Sequence, residues 1–87
     1  MDYGIVVYTS ITVSNRAKKL VNEANLMSYV GIIQIPPNLQ VPGCNYAVRC
    51  KYEDLNKLLD VSRKHNLKIK ATFRESEVNG TKTYTKI

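Results

Sequence analysis

Short β-type runs alternate with two amphipathic helical runs in this chain, and their order leaves few ways to fold it. Tyr3–Tyr8 (YGIVVY) is rich in β-branched and aromatic residues and is closed by Thr9 and Ser10. Apolar positions Val13, Ala17, Leu20, Val21 and Ala24 then recur at helical spacing, with Ser10 or Thr12 as the capping hydroxyl and an end near Asn25. Tyr29–Ile35 is a second β-type run, stopped by Pro36-Pro37, and Asn38–Gly43 is a loop with another proline. Asn45–Cys50 alternates, Tyr46, Val48 and Cys50 against Asn45, Ala47 and Arg49. Tyr52–His65 places Leu55, Leu58, Leu59 and Ser62 at helical spacing. Glu53 and Asp54 stand in its first turn and Arg63, Lys64 and His65 in its last, the charge order a helix dipole favours. Leu67–Phe73 alternates again, Leu67, Ile69, Ala71 and Phe73 against Lys68, Lys70, Thr72 and Arg74. Asn79-Gly80 signals a type I′ turn into a last strand, Thr81–Ile87, with Glu77 facing Lys82 across the hairpin.

The order β-α-β-β-α-β with a terminal strand predicts an α+β protein of the ferredoxin-like split βαβ type. Its antiparallel sheet has two helices on one face, and right-handed crossovers give the strand order 5-4-1-3-2. A chain of 87 residues has room for one domain of two layers and for no deep enclosed active site. Residues 3–73 form the expected core and 74–87 a C-terminal β-hairpin extension. The exposed sheet face is expected to carry Arg49, Lys68, Lys70 and Arg74.

Composition narrows the function classes. Hydrophobic residues make up 44% and charged residues 23%, which suits a globular domain and excludes intrinsic disorder. Apolar runs such as Gly4–Val7 and Val30–Ile33 are too short to cross a bilayer, and Met1–Tyr8 lacks the pattern of a secretory signal, so a cytoplasmic domain is expected. Thirteen Lys and Arg against seven Asp and Glu give +6, which favours anionic partners: nucleic acid, phosphorylated metabolites or acidic protein surfaces. Two cysteines and one histidine cannot complete a structural zinc site. There is no CxxC pair, GxGxxG or Walker loop, so no metal or cofactor is expected. Chemistry, where there is any, rests on a thiol.

The expected topology brings Cys44 toward the start of the first helix, the backbone amides of Thr9–Asn15, and the cations Lys64 and His65 at the close of the second. A helix N-terminus and nearby cations favour thiolate over thiol, and Gly43 lets the backbone bend beside it. The alternative is a small hydrophobe opening a strand. Cys50 lies six residues on, about 20 Å along a strand at 3.3 Å per residue, too far for a disulfide with Cys44; its face makes it a core residue. His65 reads first as a histidine that caps the helix end or faces water, ahead of a proton shuttle or a support for the thiolate. Tyr8 and Tyr46 could stack a base, but packing explains tyrosines on strands as well. The row Arg49, Lys68, Lys70 and Arg74 offers RNA a cationic sheet face, yet Asn45 and Ala47 stand where an RNA-binding plait needs aromatic platforms.

"TVSNRAKKLVNEANL" and "IIQIPPNLQVPGCNYAVRCKYEDL" together resemble the small selenium/sulfur-carrier-like domains over residues 3–73. The resemblance implies a carrier, not an enzyme, in which Cys44 holds sulfur or selenium as a persulfide-like adduct. Arg16, His65 and the first helix's amides would favour its thiolate. The family has glycine after the cysteine; here Asn45 stands there, the residue that next best tolerates a left-handed backbone. The implied partners are a sulfur or selenium donor protein and an acceptor protein. The residues leave two other readings open: a basic module binding RNA or an acidic protein through its sheet face, and a homodimer formed through that face or the last strand's edge.

Overall fold

The chain runs β1 (Tyr3–Tyr8), α1 (Ile11–Glu23), β2 (Val30–Gln34), β3 (Tyr46–Lys51), a 3-10 turn (Tyr52–Asp54), α2 (Leu55–Lys64), β4 (Ile69–Val78) and β5 (Thr81–Lys86). These bounds come from a computed structural model that describes residues 2–39 and 41–87. The five strands form one antiparallel sheet in the order β2-β3-β1-β4-β5, which read from the β5 edge is 5-4-1-3-2.

Local chemistry sets the helix ends. Ser10 is extended and its hydroxyl accepts from Val13 N–H at 3.2 Å, satisfying a donor that α1 cannot. Both helices stop at an Asn-Leu pair. Asn25 (φ 50°) and Asn66 (φ 55°) turn left-handed, and the next residue donates back across the last turn, Leu26 to Val21 O and Leu67 to Ser62 O. This is the Schellman arrangement with asparagine in place of glycine, and each leucine packs on the core it closes. His65 is the C-cap residue of α2 and is exposed. Asn79 (φ 53°) and Gly80 (φ 79°) are both left-handed, as a type I′ turn requires, and Glu77 pairs with Lys82 across the hairpin.

Each face of the sheet carries its own core. On one, Val6 and Tyr8 of β1 and Val48 and Cys50 of β3 meet Ala17, Val21, Leu55 and Leu58 of the helices. Gly4 lets α2 approach closely, since a Cβ there would lie 2.8 Å from Leu55 Cδ1. Tyr8 Oη lies 2.6 Å from Ser62 Oγ, which donates to Leu58 O at 2.8 Å, so the buried hydroxyls are paired. On the other face, Ile5, Val7, Ala47 and Phe73 are buried under the β2–β3 loop, whose Leu39 is the anchor.

This second core overturns two expectations. The alternation from Leu67 to Phe73 does not put one set of side chains on one face. A bulge opposite Val7 and Tyr8 pairs Val7 with Ala71 but Tyr8 with Ile69, so one extra residue, Lys70, resets the parity. Ile69 joins the helix-side core, whereas Ala71 and Phe73 join the loop-side core. The row Arg49, Lys68, Lys70 and Arg74 is therefore not one cationic face. Arg49 pairs in register with Ile5, on the loop side, while Arg74 pairs with Gly4, on the helix side.

Candidate functional site

The β2–β3 loop is two tight turns in succession. Leu39 N–H donates to Pro36 O, closing Pro36–Leu39, and Cys44 N–H donates to Val41 O at 3.1 Å, closing Val41-Pro42-Gly43-Cys44. Gly43 at φ 80° after a proline is the type II pattern, which no side-chain-bearing residue fills without strain. The left-handed residue thus precedes the cysteine. Asn45 is not in that region, so its side chain costs the backbone nothing there. Burial of Leu39 ties the first turn to the sheet, and Lys70 Nζ donates to Pro42 O at 3.0 Å, tying down the second.

Cys44 leaves the second turn half-buried, with Sγ donating to the Tyr8 carbonyl at 3.6 Å, where β1 runs into α1. A shallow pocket of about 210 Å³ opens there, lined by Cys44, Tyr8, Ser10, Ile11, Gly43, Asn45 and Tyr46. Its rim holds two of the large apolar side chains most exposed on the described surface, Ile11 at 43% and Tyr46 at 42%. A broader groove over Gln34–Pro37 and Leu39 meets it at Cys44. The structure thus brings Cys44 and Gly43 to the start of α1. Arg16, Lys64 and His65 neither bond to Cys44 nor line its pocket; all three are exposed on the helices.

Cys50 is its opposite. It is fully buried among Val6, Val48 and the helices, and burial, with the Asp54 charge adding to it, pushes its thiol up to about 12. No group of His, Cys, Asp and Glu among the described residues could hold a metal ion.

Three of the four cations expected on the sheet face, Arg49, Lys70 and Arg74, are engaged by other groups. Arg49 Nη2 donates to Glu75 Oε2 at 2.7 Å, its guanidinium carbon lies 3.6 Å from the Tyr3 ring centre, and Tyr84 Oη donates to Glu75 Oε1. Arg74 binds Asp2 and lies over the Tyr52 ring at 4.2 Å, an arrangement that holds the Asp2 carboxyl below its usual range. Lys68 is exposed and its carbonyl accepts from Thr9 N–H. Sequence reasoning missed Ile11, the rim role of Tyr46, and the Lys70–Pro42 tie. The Pro42-Gly43 dipeptide carried the turn signal; nothing in the sequence marks the tie.

The sequence model of one protein family, described as "Putative Se/S carrier protein-like", matches residues 3–74, and the chain belongs to that family. The match takes in the whole Cys44 loop and ends inside β4. Neither a curated protein nor a solved structure gives a match. No helix among the described residues is long and apolar enough to cross a membrane.

Proposed function

We propose that Cys44 is the carrier residue, accepting a sulfur or selenium atom from a donor protein and passing it to an acceptor protein. The observation that supports this best is the contrast between the thiols: Cys44 stands half-buried at the end of a hydrogen-bonded turn beside an open pocket, and Cys50 is sealed in the core. As a thiol, Sγ rests on the Tyr8 carbonyl. Once its proton leaves, that contact is no longer attractive and the sulfur turns to the pocket. The thiolate attacks the terminal atom of a donor persulfide, a new S–S bond forms on Cys44, and the donor's own S–S bond breaks, with the electron pair leaving on the donor thiolate. An acceptor nucleophile takes the terminal atom by the same displacement and regenerates the Cys44 thiolate, with no net oxidation. A perselenide donor passes selenium in the same way. Ile11 and Tyr46 give the rim an apolar surface for the partner's loop.

We read the architecture as the ferredoxin-like plait, with 74–87 as the extension to its core, and the cytoplasm as the reducing compartment that keeps the carrier thiol free. The test is intact mass after exposure to a persulfide donor, for wild type, Cys44→Ser and Cys50→Ser. One added sulfur on wild type and Cys50→Ser, absent from Cys44→Ser, is expected. No adduct on folded wild type, or one that survives Cys44→Ser, would overturn the proposal.

A further inference from the structure

The two edges of the sheet differ in a way that points to a partner. Ile35 N–H donates to Asn45 O at 2.9 Å, and these residues face each other in the β2–β3 register. Hydrogen-bonded pairs alternate along an antiparallel ladder, so Ile33 and Gly31 also bond to β3. The N–H and C=O groups of Val30, Ile32 and Gln34 therefore point outward from the β2 edge. Ile87 N–H donates to Thr72 O on the other side, so by the same alternation Lys82, Tyr84 and Lys86 point theirs outward from β5. The β5 stripe carries two exposed lysines, a common guard against edge-to-edge pairing. The β2 stripe carries no guard. From Ala24 to Val48 the chain has no Asp, Glu, Lys, Arg or His, although the chain as a whole is at +6.

We propose that the β2 edge is the interface for a second copy of this chain, β2 pairing antiparallel with β2 about a two-fold axis at Ile32. Two bodies of charge +6 repel, and the β2 strand itself brings no charged side chain to the contact. The outward stripe is self-complementary. With Ile32 opposite Ile32, Val30 stands opposite Gln34 twice, and each opposed pair exchanges two backbone hydrogen bonds, an isologous contact that closes on itself. The sheet continues through the junction from one β5 edge to the other, and both of those edges remain guarded by lysine. Antiparallel pairing sends the two β2–β3 loops to opposite ends, so each Cys44 pocket remains open. The interface does not depend on the carrier reading.

The test is the solution mass of the full chain by sedimentation equilibrium, in the Cys44→Ser background with reductant so that no disulfide can link two copies. Twice the chain mass is expected. Gln34→Pro removes an outward N–H at an exposed edge position, and Gln34→Lys places a charge on that edge; both should be monomers with an unchanged far-UV circular dichroism spectrum. Lys82→Pro makes the equivalent change at the β5 edge and should remain a dimer. Should Gln34→Pro fail to fold, Gln34→Lys decides. A monomer at every accessible concentration would overturn the proposal, as would a dimer that survives Gln34→Lys or is lost with Lys82→Pro.

Discussion

The sheet is covered on one face by two helices and on the other by a single loop, and each cover owns one cysteine. On the helix side, regular amphipathic elements bury Cys50 among side chains fixed from several directions. On the loop side, one leucine and two turns shield Ile5, Val7 and Phe73, and Cys44 sits at the margin of that cover. A thiol in the first setting is a packing residue; a thiol in the second is held in place and still within reach. The loop is also the thinner cover. It should open without unfolding the rest, because local stability follows the number of buried contacts that must be broken.

The sharpest way to break this comparison is to remove one leucine from each cover. Leu58→Ala empties a site enclosed by both helices and the sheet and should cost about 4 kcal/mol of global stability in a denaturant melt. Leu39→Ala should cost about 2 kcal/mol, since a surface loop can settle into the space. Its main effect should be local, raising the rate of Cys44 alkylation in the folded protein by about tenfold or more while Cys50 stays protected. Equal losses of stability, with both cysteines modified together, would mean the two cores open as one.

The helix-side core should also show itself in alkali. Cys50 rises from 9.0 to about 12 and Tyr8 from 10.0 to about 12, each mainly through burial. Both groups hold their protons more tightly folded than unfolded, so their contributions are fully present below the unfolded values and are lost as pH rises toward the folded ones. Stability should fall by roughly 1 kcal/mol per pH unit above pH 9 and about twice as steeply above pH 10. In Cys50→Ala the first limb should disappear and the fall should begin near pH 10. Urea melts across this range read it directly. An unchanged onset in Cys50→Ala would remove the thiol from this account.

The helix side was largely legible in the sequence, because helical periodicity, caps and end charges all act within one turn of chain. Ser10 as a cap, Asn79-Gly80 as a turn and Cys50 as a core residue rest on such short-range rules. The loop side was not. Its core depends on a one-residue bulge at Lys70, which changes the face of Ala71 and Phe73 yet leaves the alternation in the sequence untouched. A cationic face was thus expected where apolar residues and an ion-paired Arg49 stand. At the site, the meeting of Cys44 with the start of α1 follows from topology, but its half-exposure depends on Leu39 taking the buried position in the loop.

The turn itself can be tested apart from the core beneath it. A Cβ at Gly43 meets only Lys70 Nζ, at 3.8 Å, so space is not the constraint and Gly43→Ala isolates the backbone. Forcing alanine to φ 80° should cost about 1–2 kcal/mol. Because the strain falls on the turn closed by Cys44 N–H, faster Cys44 modification should accompany the loss, with Gly43→Asn intermediate. A Gly43→Ala variant as stable as wild type would show that the turn is not held in this form in solution.

The smallest effect belongs to the tie across the bulge. Lys70 is exposed, and its bond to the Pro42 carbonyl is one hydrogen bond at the surface, worth about 0.5–1 kcal/mol. Lys70→Met keeps most of the side chain's length and apolar stem while removing the donor. Global stability should therefore barely move. The turn would lose its side-chain tie at Pro42 and keep the Cys44 Sγ contact with Tyr8 O, and its open form should become about two- to fivefold more populated. Cys44 alkylation should quicken by the same factor, while Cys50 protection stays at the wild-type level. The bulge is what gives the lysine this reach, by placing one extra residue opposite Val7 and Tyr8. An unchanged Cys44 rate in Lys70→Met would leave Leu39 as the sole anchor of the loop. A rate raised as far as in Leu39→Ala would make the tie and the buried leucine parts of one cooperative cover.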